Sequence, residues 1–228
     1  MAPTGSAMPL STFRCVLGIA TLLLLAPPLA AQELWTITFE DDQPQAPPSG
    51  FSLAAMRQSD AGRWLVQRGE HGNFLLHRAD PSASGYALAI ANAPVPDDLA
   101  VSVRLRMQNG NRAGGLVWRY QDDRNYYTLL LDLDRGELAV YRITAGNRVR
   151  LDIRDELELD PNAWHSLKVV HHGHGIRVML GGVRVFDERD RRADQQTGEG
   201  GRVGVIATGG SEIWFDDLRV ESKRGHRP

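Results

Sequence analysis

The side chains that could do chemistry in this chain are carboxylates, histidines, and arginines and tyrosines set at strand intervals. Residues 155–160, DELELD, would put Glu156, Glu158 and Asp160 on one face of an extended segment, opposite Leu157 and Leu159. Two carboxyls about 5 Å apart can cleave a glycosidic bond as acid and nucleophile. The same row also suits a solvated strand edge, where charge discourages pairing with other chains. A second acidic set is Glu40-Asp41-Asp42 with Asp216-Asp217. Carboxylates beside loop carbonyls fit Ca²⁺, a hard ion taking roughly six to eight oxygens. Alternation sets Asp216 on a face with Trp214 and Leu218, where a buried Asp needs a partner. Glu40 and Asp216 are therefore the candidate calcium ligands, against a solvated strand-end cluster or a hydrogen-bonded Asp. His171, His172 and His174 surround Gly173. Zinc needs histidines held at fixed spacing, and a glycine-rich hairpin would hold these loosely, so they read as a surface turn. The only cysteine is Cys15, and Ser211 after Gly209-Gly210 is turn chemistry, so no nucleophile motif is present.

The arginines and tyrosines belong to residues 114–144, the stretch that organises the chain. Leu116, Trp118 and Tyr120 alternate with Val117 and Arg119. Tyr127, Leu129, Leu131 and Leu133 alternate with Tyr126, Thr128, Leu130 and Asp132. Leu138, Val140 and Arg142 alternate with Ala139, Tyr141 and Ile143. Period two, broken by QDDRN and by Asp134-Arg135-Gly136, predicts a three-stranded antiparallel meander. Its middle strand is apolar on both sides, which predicts a central strand with a core on one face and a covered or concave surface on the other. Sugar rings stack on Tyr and Trp, while Arg and Asp hydrogen-bond hydroxyls. Arg119, Tyr126, Asp132 and Arg142 are the candidate ligand-binding floor. An Arg119–Asp132 ion pair is the competing, purely structural reading. Trp35, Trp64, Trp164 and Trp214 sit among alternating apolar residues and are expected mostly in the core, as is Trp118.

Residues 1–31 carry Arg14, an apolar run over 15–25 and a small-residue end, the pattern of a secretory signal peptide. The run is short for a membrane span, and none is expected after the leader. Cleavage after Ala30 or Ala31 predicts a secreted or periplasmic bacterial protein with no cysteine. The folded domain is expected over 32–221, with a polar tail over 222–228. The formal net charge is −2 and no basic stripe appears, so nucleic acid is not an expected partner. Residues 99–107 alternate most cleanly, and 188–201 read as a charged surface loop. About a dozen short strands and no helical period predict an all-β sandwich or barrel.

The order of the motifs chooses between these. Gly114-Gly115, Arg119, Asn125-Tyr126-Tyr127, Gly136, Trp164-His165, Gly175-Ile176, Gly182, Gly201, Gly204 and Phe215-Asp216-Asp217 resemble the concanavalin A-like lectin/glucanase superfamily. Within it, the chain is most similar to the 3-keto-disaccharide hydrolase domain family, which is related to family 16 glycoside hydrolases. The resemblance spans nearly all of the chain after the leader. It implies a jelly-roll sandwich of two antiparallel sheets, one convex and one concave, with carbohydrate bound across the concave one. It further implies first and last strands side by side, and a structural calcium on the convex side with an Asp at the position of Asp216. Family 16 hydrolases carry their carboxylates as E-x-D-x-x-E, and this chain has no such motif. The expectation is an exported module that binds carbohydrate without retaining-glycosidase catalysis. The alternative is a secreted glycoside hydrolase-like enzyme of the 3-keto-disaccharide type.

Overall fold

Period-two alternation becomes strand almost everywhere it occurs. The computed structural model describes residues 32–56, 62–110, 112–191 and 200–222, which hold fifteen strands and no helix. The expected leader and residues 223–228 lie outside the described residues.

The strands form two antiparallel sheets. The first runs β10 (Asn147–Arg154), β9 (Glu137–Thr144), β8 (Asn125–Asp132), β7 (Ala113–Asp122), β14 (Arg202–Thr208), β5 (Tyr86–Ala91), β2 (Phe51–Met56). The second runs β13 (Val183–Arg189), β12 (Gly175–Leu180), β11 (His165–His172), β6 (Leu99–Gly110), β15 (Ser211–Ser222), β4 (Gly72–Arg78), β3 (Arg63–Gly69). In the second sheet β1 (Gln32–Ile37) also pairs with the far half of β15, so the first and last strands lie side by side as expected. The fold is an all-β jelly-roll sandwich. Leu99, Val101, Val103, Leu105 and Met107 of β6 all face inward, as their alternation predicts. They meet Leu116, Trp118, Tyr127, Leu129 and Val140 from the other sheet in one continuous core.

The meander is β7, β8 and β9. Gly136 takes φ +64° in its second turn, a left-handed conformation that favours glycine. The middle strand is buried on both faces. Its inward side joins the core, while Tyr126 and Leu130 join a separate outer cluster with Leu88, Ile90, Val117, Ile143 and Ile206. Side chains buried on the outer face of a sheet require that sheet to curl around them. Arg148 of β10 shows how far. It lies five strands from Tyr86 of β5, about 24 Å across a flat sheet, yet its Nη1 donates to the Tyr86 hydroxyl at 2.5 Å. The seven-stranded sheet is therefore the concave one.

Three departures from the sequence reading have local causes. Residues 155–160 are not a strand: β10 ends at Arg154, and Glu156 takes φ +55°. The expected common face for Glu156, Glu158 and Asp160 does not form, because the Leu157 N–H is drawn to the Gly136 carbonyl at 2.9 Å. His171 is not in a surface turn; it is the inward-facing, fully buried partner of Leu99 on β11. Asp190, placed in a surface loop, is buried at the end of β13.

These last two residues belong to a polar cluster between the sheets. Asp190 accepts from Arg142 Nη1 at 2.7 Å and from the Tyr127 hydroxyl at 2.8 Å. Its backbone closes on His174, N–H to carbonyl at 2.9 Å, while its own carbonyl lies 3.0 Å from His174 Nδ1. Trp118 Nε1–H donates to His171 Nδ1 at 2.9 Å, so the neutral ring carries its proton on Nε2. Burial, then the nearby Arg119 guanidinium, pushes the His171 pKa down to about 3, against the opposing pull of Asp190 and the Gly173 carbonyl.

Two outcomes follow for stability. Asp190→Ala strands a buried guanidinium, and denaturant titration should show a loss of about 3–5 kcal/mol. His171 stays neutral in the folded state while the unfolded chain protonates it below about pH 6.5. Its contribution is thus complete above that pH and falls as acid is added, by on the order of 1 kcal/mol per pH unit, until the folded value is reached. His171→Gln keeps an acceptor for Trp118 and should flatten the melting temperature's dependence on pH between 6.5 and 4.

Candidate functional site

The trough on the curved sheet is built from alternate residues of its middle strands. Tyr126, Thr128 and Leu130 come from β8, Tyr141 and Ile143 from β9, Ile206 from β14 and Tyr86 from β5. Arg148 stands opposite Ile143 in register and so shares this face. Its guanidinium carbon lies 3.5 Å from the Tyr141 ring centroid and 5.4 Å from that of Tyr86. Stacking on one ring and a hydrogen bond to the other hydroxyl hold it across the trough. Below it is a well of about 130 Å³, walled by Tyr126, Leu130, Ile143 and Ile206. Burial raises the Tyr126 pKa, keeping the phenol protonated. The Thr128 hydroxyl is turned away to the Leu116 carbonyl at 2.9 Å. Beside the well a basin of about 360 Å³ opens toward the β8–β9 turn, lined by Arg112, Asp132, Asp134, Arg135 and Glu137. Asp134 pairs with Arg112 at 2.7 Å. Asp132 shapes the turn by accepting the N–H groups of Asp134 and Arg135, each at 3.1 Å.

The four residues expected to form one floor are divided between two faces. Tyr126 and Asp132 lie on the trough side. Arg142 opposes Tyr127 in the β8–β9 register and so shares its inward face, where Asp190 holds it. Arg119 is turned inward by a bulge: the β7–β8 register slips between Trp118 and Asp122, and Arg119 takes φ +49°. Gly201 makes room for this bulge, since a Cβ there would stand 2.9 Å from the Arg119 Cα. Arg119 donates to the Asp97 carbonyl at 3.2 Å and the Gly173 carbonyl at 3.4 Å, with Asp98 at 3.9 Å. The competing Arg119–Asp132 pair does not form because Asp132 opposes Ala113, at the other end of β7. Arg148, Tyr86 and Tyr141 complete the trough and were not among the expected floor residues. Tyr141 carried the right alternation with Ile143, but nothing in the chain links Arg148 to Tyr86, which come from strands far apart in order.

Glu40 and Asp216 are each engaged by N–H donors. Both oxygens of Glu40 face the Asn73 N–H, at 3.1 and 3.2 Å. Asp216 accepts from Arg104 Nη2 at 3.0 Å and from the Asp217 N–H at 2.8 Å. Burial raises its pKa. Among the described residues no group of three or more His, Cys, Asp or Glu side chains converges.

A second groove, of about 580 Å³, lies on the outer face of the other sheet. Trp164 and Trp214 are found here, half-buried, rather than in the core, because Trp214 alternates out of phase with Ile213 and Phe215. Its rings are already occupied. Phe74 from β4 stacks on Trp214 at 4.5 Å, and Arg106 from β6 lies 5.1 Å from its centroid on the other flank. Arg104 covers Trp164 at 5.2 Å.

No protein-family model matches the chain, and no curated protein matches it. Among solved structures it is similar to the carbohydrate-binding module CBM66 from Bacillus subtilis, at 19% identity and TM-score 0.59, covering 76% of this chain and 96% of that one. It is also similar to a Bacillus subtilis protein of unknown function with a galectin-like fold, at 10% identity and TM-score 0.59, covering 84% and 96%. A third is domain 4 of AbnA, an extracellular arabinanase from Geobacillus stearothermophilus, in complex with arabinotriose, at 11% identity and TM-score 0.56, covering 84% and 93%. At these identities the likeness shows the lectin-like jelly-roll fold. Among the described residues no helix is long and apolar enough to cross a membrane.

The two arginines should behave differently on replacement. Arg119→Ala removes a buried donor from two carbonyls and should cost about 1–3 kcal/mol in denaturant titration. Arg148→Ala, at an exposed position, should shift stability by no more than about 0.5 kcal/mol.

Proposed function

We propose that this protein is an exported module that binds carbohydrate in the trough of its curved sheet and does not cleave it. The observation that carries this reading is the tyrosine-lined trough crossed by Arg148. Aromatic walls accept the apolar faces of sugar rings, and a fixed guanidinium supplies directional donors at the rim. One protein of similar fold is named a carbohydrate-binding module and another is in complex with arabinotriose, which supports the reading without deciding it. Export rests on the leader pattern at 1–31.

A hydrolytic reading, of the 3-keto-disaccharide hydrolase kind, has one observation in its favour. Asp132 and Glu137 are cross-strand partners lining the same basin. Opposed side chains stand about 5 Å apart at Cβ, near the separation of a retaining pair. Asp132, however, already serves the turn through two N–H bonds, with Arg135 at 3.7 Å.

A glycan and polysaccharide array with Tyr141→Ala and Trp164→Ala separates the possibilities. Tyr141→Ala should weaken binding about tenfold, while Trp164→Ala leaves it unchanged. The reading fails if no glycan binds, or if Trp164→Ala abolishes binding that Tyr141→Ala keeps. Release of reducing sugar that disappears in Glu137→Gln would replace it with the hydrolytic one.

A further inference from the structure

Resting on that carbohydrate reading, we infer that the sugar seated under Arg148 carries a carboxylate and a small apolar substituent, an acetyl or methyl group. Two independent features of the trough require this. The first is the state of Arg148. A guanidinium has five N–H donors, and the hydrogen bond it makes within the described residues goes to a neutral phenol, Tyr86. The acidic groups of the adjoining basin are engaged elsewhere, Asp134 with Arg112 and Asp132 with the turn and Arg135. Glu137 lies at the far end of that basin, beside Asp132. The stack on Tyr141 holds the guanidinium at the trough. A planar carboxylate matches such a fork in bidentate fashion, and a lone hydroxyl uses only part of it.

The second feature is the well beneath. Leu130, Ile143 and Ile206 form its aliphatic side, with Tyr86 and Tyr126 also lining it; the Thr128 hydroxyl is bonded to a backbone carbonyl and the Tyr86 hydroxyl accepts from Arg148. A sugar hydroxyl pressed against Leu130, Ile143 and Ile206 would lose water and gain no partner from them. A methyl or acetyl group packs against them without that cost. An acylated uronic acid, or an acidic sugar with an N-acetyl group, satisfies both features together.

The test uses the purified protein and one polymer in three chemical forms: an O-acetylated uronic-acid polysaccharide, the same polymer after mild alkaline deacetylation, and the same polymer after carboxyl reduction. A neutral glycan panel runs alongside, with affinities measured by calorimetry. Carboxyl reduction should weaken binding roughly ten- to a hundredfold. Deacetylation should weaken it by about tenfold. Arg148→Gln should reproduce the carboxyl-reduction loss on the acidic polymer, weaken binding of the reduced polymer far less, and remove the dependence on salt. Equal binding of the acidic and reduced forms, or an Arg148→Gln protein that binds the acidic polymer normally, overturns the carboxylate assignment. Equal binding of acetylated and deacetylated forms overturns the apolar one. In either case binding to neutral glycans would leave the carbohydrate reading standing, whereas no binding to any of these polymers or to the panel removes both.

Discussion

The curl of the seven-stranded sheet is the constraint on which the rest depends. A flat sheet of this order would hold Tyr86 and Arg148 farther apart than an extended arginine and a tyrosine together could span. Their contact therefore measures curvature directly. The curl also explains why Leu88, Ile90, Val117 and Ile206 are buried although they point away from the core. Each would be an exposed apolar side chain on a flat sheet. Curvature turns a costly surface into a trough with an apolar floor, aromatic walls and a guanidinium across it.

The interior is arranged to hold that curl. Arg142 and Tyr127 are neighbours on the middle strands of the curved sheet, and both bond to Asp190, which follows the edge strand of the other sheet. Trp118 on the curved sheet is tied to His171 opposite. Arg119, swung inward by the β7 bulge, reaches the carbonyls of Asp97 and Gly173. These are directional bonds between the layers, at the ends of strands whose outer faces line the trough. Apolar packing alone would tolerate sliding; a buried, oriented ion pair fixes one register. The second sheet's outer face is closed differently, with Arg104, Arg106 and Phe74 lying over its own tryptophans.

Much of this was legible in the chain. Alternation alone placed the meander, the inward face of β6 and the doubly apolar β8, since strand periodicity survives any tertiary context that buries one face. The site was only half legible. Tyr126 and Asp132 keep the phase expected of them. Arg119 does not, because one bulge residue with positive φ reverses the side to which its side chain points, and period counting has no signal for that. Arg142 shares its phase with Leu138 and Val140, so alternation itself argues for the inward face. Asp190 is the least visible: a lone Asp in a charged, turn-rich segment carries no mark of the buried guanidinium it meets. The Arg148–Tyr86 contact depends on curvature, which is a property of the whole sheet and of no local stretch.

The most direct test of the account is residue-by-residue mapping of a bound oligosaccharide by nuclear magnetic resonance on the isotope-labelled protein. The account predicts that chemical-shift changes gather on Tyr86, Tyr126, Tyr141, Arg148 and Ile206, on the hollow side of the curved sheet. Changes gathered instead around Trp164, Trp214 and Arg106 would contradict it and move the working surface to the opposite layer.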